Sequence, residues 1–148
     1  MMTVETRFGT FQAAEHDVIQ IPGGVPAFEG CTRYVLVSGP DIQPFNCLQG
    51  LDAPSPSFLV IDPRLVDPGY RPALTAMDSR RLDAVDGEPL LYLAIVHLAA
   101  SGDASVNLRA PIVVNPRRMV AIQVLPHDSG YRHDHPLRLE AASAGLHS

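Results

Sequence analysis

The chain has 148 residues, 46% hydrophobic and 18% charged, with a formal net charge of −5. That length fits one domain, and the apolar content supplies a real core where a disordered chain would carry more charge. A net negative charge also speaks against a nucleic-acid-binding surface.

Taken in chain order, Val4 to Arg7 and Phe11 to Ala13 flank Gly9 and predict an opening hairpin. Val18, Ile19 and Ile21 form a short strand, and "PGGVPAFEG" is a turn too rich in Gly and Pro for regular structure. "RYVLVS" (33–38) is a strand. In "PFNCLQGL" (44–51), Phe45, Cys47 and Gln49 share one face, with Asn46 and Leu48 on the other. "SFLVID" (57–62) is a further strand, stopped by Pro63. One helix is predicted in "TAMDSRRLDAVDG", with Leu74, Met77, Leu82 and Val85 near one face. Thr75 is its N-cap, Asp78 its capping-box partner, Gly87 its C-terminal cap and Pro89 its stop. "LLYLAIVHL" (90–98) is apolar on both faces and should be the most buried strand.

"NLRAPIVV" and "MVAIQVL" close the set as a hairpin across "NPRR", where Pro116 pre-sets the φ of a tight turn. Leu108, Ala110, Ile112 and Val114 should face the core; Asn107, Arg109, Pro111, Val113 and Asn115 should face outward. Pro111 cannot donate to a ladder, which places it on an edge strand or at a bulge. Those five outward residues are the candidate partner-binding set, weighed against an edge proline that merely deters aggregation. The whole pattern predicts a mostly β fold: a small antiparallel β-barrel-like or sandwich domain with one short helix. Residues 1–137 form the single domain, and 138–148 a disordered tail.

The charge is uneven. Residues 39–90 hold eight acids and four Arg; residues 91–126 hold one acid, Asp103, and three Arg. This reads first as solvated surface, although the acidic middle would also favour encounter with a basic protein. No apolar leader opens "MMTVETRFGT", and "LLYLAIVHLAA" is about half the length a bilayer requires. A cytoplasmic, monomeric chain is expected. Cys31 and Cys47 are reduced thiols by default, with a single disulfide left open.

Chemistry-bearing clusters are sparse. "HDSGYRHDHPL" offers His127, Asp128, His133, Asp134 and His135 as metal ligands, with His133 and His135 on one side of a strand. A metal-dependent or small-molecule enzyme built on this segment is the alternative to a binding protein; exposed polar surface is the plainer reading. His97 reads as a core or edge histidine. Ser57 lacks nucleophile-elbow glycines, and "IPGGVP" lacks the Lys-Ser/Thr of a phosphate cradle. No catalytic set, metal or cofactor is therefore assigned.

Five blocks in order, "IPGGVPAFEG", "PFNCLQG", "SFLVIDP", "VNLRAPIVVN" and "AIQVL", resemble the flagellar assembly factor FliW family, with "YRHDHPL" extending the likeness to residue 137. Ala27 stands where that family often has glycine, Cys47 where it often has an aromatic, and "NPRR" is shorter than its usual basic turn. The resemblance implies a barrel-like β fold without catalysis. It also implies two partners: newly made flagellin, and the carbon storage regulator CsrA, an RNA-binding translational repressor. Freed when flagellin is secreted, such a protein antagonises CsrA and so restores flagellin synthesis.

Overall fold

The computed structural model describes residues 1–125 and 129–137. Eleven strands and two short helices lie among them. β1 (Met2–Thr6) and β2 (Gly9–Ala13) form the opening hairpin as a two-stranded sheet of their own. β3 (Val18–Gln20), β4 (Arg33–Val37), β5 (Asn46–Gly50), β6 (Ser57–Ile61) and β7 (Leu91–Leu98) follow as consecutive antiparallel neighbours. β9 (Ile112–Asn115) and β10 (Val120–Gln123) form the last hairpin. β10 pairs with β3 and β9 pairs with β7, so the sheet closes into a barrel of seven strands. β8 (Ala104–Val106) and β11 (His135–Leu137) extend the sheet beyond β7.

Closure decides between barrel and sandwich, and it corrects one expectation. A ring with an odd number of strands cannot alternate direction all the way round, so at least one neighbouring pair must be parallel. Here that pair is β3–β10, joined at Val120 and Gln20 and by the bond from Gln20 N–H to Met119 O at 2.9 Å.

Side-chain alternation fills the barrel. Tyr34, Leu48, Val60, Leu93, Ile112, Val114 and Ala121 point inward and pack with Ile19 and Ile21. The outer wall is covered in three patches, which explains strands that are apolar on both faces. The β1–β2 hairpin lays Val4 and Ala13 over Val35, Val37 and Cys47. Tyr70, Val106 and Leu108 cover Leu59, Ile61, Ala94 and Val96. Leu82 covers Val113, Ile122 and Val124.

The predicted helix exists but is shorter. α2 spans Ala76–Arg81 with the Thr75–Asp78 capping box in place, and ends at Leu82. Of the predicted apolar face, Leu82 is buried and Leu74 packs beside it, whereas Met77 and Val85 are exposed, and Gly87 sits in a separate turn at φ +79°. One turn of helix, α1 (Pro63–Val66), was missed because Pro63 reads only as a strand stop. Proline also suits the first position of a helix, and Asp62 caps it by accepting from Arg64 N–H at 2.9 Å. The most buried strand is β9, not β7; every β9 residue is buried, whereas Leu91, His97 and Leu98 at the ends of β7 are exposed. Cys31 and Cys47 are both buried and free. The 138–148 tail lies outside the described residues, as do His127 and Asp128.

Candidate functional site

The five residues expected on an outward face divide. β9 is hydrogen-bonded on both sides, to β7 and to β10, so it is neither an edge nor bulged. The strand begins at Ile112, and the preceding residues 107–111 turn. Asn107 shapes that turn: its Oδ1 accepts from the N–H groups of Arg109 (3.1 Å) and Ala110 (3.0 Å). Pro111 therefore stands just before the ladder, where its missing donor costs nothing, and its carbonyl accepts from Val124 N–H at 2.9 Å.

Pro111, Val113 and Asn115 are buried, which corrects the expectation that all five faced outward. Val113 packs under Leu82. Asn115 is fully buried: its Nδ2 donates to Leu82 O at 2.9 Å, and its Oδ1 accepts from Arg117 N–H at 3.1 Å. The expected turn follows, with Asn115 O accepting from Arg118 N–H at 3.2 Å across Pro116 and Arg117. Asn107 is half-buried, and of the five Arg109 alone is exposed.

Arg109 and Pro111 nevertheless share a cleft of about 160 Å³ with Arg71, Pro72, Val124 and Tyr131. Three loops build it. Tyr70 anchors the first, its hydroxyl donating to Leu108 O at 2.8 Å, and burial pushes that phenol above the usual tyrosine range. The Tyr131 ring lies 4.6 Å from that of Tyr70, and its hydroxyl accepts from Arg71 N–H at 2.8 Å. Leu108 N–H donates to Arg132 O at 3.0 Å, tying the turn to the third loop. Arg71, Pro72 and Tyr131 escaped sequence reasoning because they lie far from residue 109 in the chain. The one available signal was the recurrence of an arginine just ahead of a proline, in "YRPA" and "LRAP".

A second cleft, of about 350 Å³, opens at the other end of β9 between Val85–Pro89 and Pro116–Arg117. There the Glu88 carboxylate, its side chain only 8% exposed, meets Arg117 at 3.4 Å, and Arg118 meets Asp83 at 3.3 Å. The two ends of this strand thus carry different chemistry.

The metal reading finds little geometry. His133 and Asp134 lie in a turn ahead of β11, and Asp134 is held by Arg132 at 3.1 Å, which depresses its carboxyl below the usual range. His135 pairs with Val106. Among the described residues, no three His, Cys, Asp or Glu side chains are placed to hold an ion. His97 is exposed on β7, opposite Ser105. None of the described helices is long and apolar enough to cross a membrane.

Comparison with known proteins agrees with this fold. The FliW protein family model matches residues 3–137. The flagellar assembly factor FliW of Geotalea uraniireducens is 37% identical over 137 residues, covering 92% of this chain and 83% of that one. The Geobacter sulfurreducens protein of the same name is 36% identical over 143 residues, covering 96% and 89%. A crystal structure of the flagellar assembly factor FliW superimposes with a TM-score of 0.81 at 26% identity, covering 91% of this chain and 96% of that one. The chain belongs to the FliW family of flagellar assembly factors.

Proposed function

We propose that this protein is a non-enzymatic partner switch that binds flagellin and antagonises CsrA, so coupling flagellin synthesis to its export. The observation that carries the reading is the family match over residues 3–137, which spans the closed barrel together with both clefts. The fold suits such a role. A rigid barrel holds short loops in fixed positions, and loops on a rigid scaffold are where binding residues concentrate. The unlike clefts at the two ends of β9 offer footholds of different chemistry. In this reading the protein works in the cytoplasm as a monomer, touches no nucleic acid itself, and needs no cofactor.

Calorimetry with flagellin and CsrA from the same organism tests it. Each should bind at micromolar concentration or tighter, and excess flagellin should release CsrA. Arg109→Glu should weaken one of the two by roughly tenfold or more, as reversal of an interfacial charge does, with an unchanged circular dichroism spectrum. Binding to neither partner would overturn the reading.

A further inference from the structure

The loop cleft at Arg109 contains more information than its position. Much of its backbone is already engaged. The N–H groups of Arg109 and Ala110 donate to Asn107, and that of Arg71 donates to Tyr131. The carbonyl of Ala110 accepts from Gln123 Nε2 at 3.1 Å, and that of Pro111 from Val124. Pro72 and Pro111 have no N–H to give. The charged donors open to a visitor are the guanidinium groups of Arg71 and Arg109. Both residues are exposed, and neither joins an ion pair among the described residues. The rest of the lining is mostly apolar or aromatic, from Pro72, Ala73, Pro111, Val124 and the Tyr131 ring, with Ser129 and Gly130 completing it.

Two guanidiniums without an ion-pair partner in one cleft favour a ligand that accepts, and arginine selects carboxylates through fork-like hydrogen bonds. Its size narrows the class further. About 160 Å³ holds roughly five waters at about 30 Å³ each, which is room for one or two side chains and not for a folded cofactor. The apolar walls require that the carboxylate arrive beside hydrophobic groups.

We propose that this cleft is a docking site for an acidic, extended peptide segment, seating a Glu or Asp side chain against Arg71 and Arg109 and a neighbouring apolar side chain against Pro72, Pro111 and Tyr131. Within the partner-switch reading, the segment belongs to flagellin, because an RNA-binding protein such as CsrA needs cationic surface for its own ligand. Only that last identification rests on the reading.

The test has two arms. In the first, fluorescence anisotropy follows a labelled peptide of alternating Glu and Leu, its Gln–Leu counterpart and a short single-stranded RNA. The Glu peptide should bind saturably and weaken as salt is added. The Gln peptide should bind roughly tenfold more weakly, and Arg71→Gln with Arg109→Gln should remove the difference. Equal binding of the Glu and Gln peptides, an undiminished double variant, or RNA binding as tight as the Glu peptide would each overturn the acidic-peptide site. In the second arm, intact flagellin is titrated against wild type and the double variant. Loss in the variant supports flagellin as the source of the segment, and equal binding refutes that identification. Failure of flagellin to bind wild type refutes the partner-switch reading, while the first arm still decides the cleft.

Discussion

Ala27 is one of four non-glycine residues at positive φ among the described residues, at +76° in the exposed turn that follows β3. A left-handed conformation brings Cβ toward the following carbonyl and costs an L-residue about 1–2 kcal/mol. Glycine avoids that cost but loses about 0.5–1 kcal/mol of backbone entropy on folding. The strain outweighs the entropy, so Ala27→Gly should stabilise the protein by about 0.5–1 kcal/mol, read as a higher urea midpoint at unchanged slope. An unchanged or lower midpoint would show that the turn carries no such strain. Gly24, in the same turn at φ +69°, is a different case. A Cβ there would stand 2.5 Å from Phe28 O and 2.7 Å from Glu29 Cα, so space as well as conformation demands glycine. In the sequence the segment reads only as a Gly/Pro-rich turn. Which of its residues is strained depends on φ, and composition does not report φ.

At the scale of elements, β9 was legible in its alternation and illegible in its cover. Period-two spacing separated Ile112 and Val114 from Val113, and the barrel interior receives the first pair as expected. The outward side was misread because its cover comes from Leu74, Leu82 and Leu90, which lie well upstream in the chain. A strand's own residues cannot say whether another segment lies over it. Asn115 shows the consequence. Read as a surface residue, it is instead the polar bolt between the β9–β10 turn and the end of α2, joining Leu82 O to Arg117 N–H through one buried amide. Removing it leaves the Leu82 carbonyl without its side-chain donor and a small cavity beneath it. Asn115→Ala should cost about 2–3 kcal/mol on chemical denaturation, as loss of a buried hydrogen-bonding group does. Thr75→Ala, which removes only the exposed helix cap, should cost about 1 kcal/mol. Equal costs would mean that Asn115 is no tie between the two elements.

For the whole molecule, the element types and mostly β class followed from strand length, alternation and punctuation. Closure did not, because the β7–β9 and β3–β10 pairings join segments far apart in sequence. The acidic middle of the chain also changes meaning once folded. Asp52 holds Arg33, Asp62 caps α1, Asp78 caps α2, and Asp83 and Glu88 pair with Arg118 and Arg117. Most of that charge therefore fixes loops around the barrel, where a composition count saw only a field. The same topology sets an order of opening. The β1–β2 hairpin shares no ladder with the barrel and is held on it by Val4 and Ala13 packing against Val35, Val37 and Cys47. A hairpin alone is marginal in water, so its amides can exchange by lifting off without breaking the ring. Barrel strands paired on both sides cannot exchange until the ring opens. Native-state hydrogen exchange should therefore find Val4 and Phe11 well below the protection of Val35, Leu48 and Val113. Val4→Ala should widen that gap, since it weakens the seat of the hairpin and leaves the ring intact. Protection of Val4 and Phe11 equal to that of Val113, moving in step with it in the variant, would show instead that hairpin and barrel open as one unit.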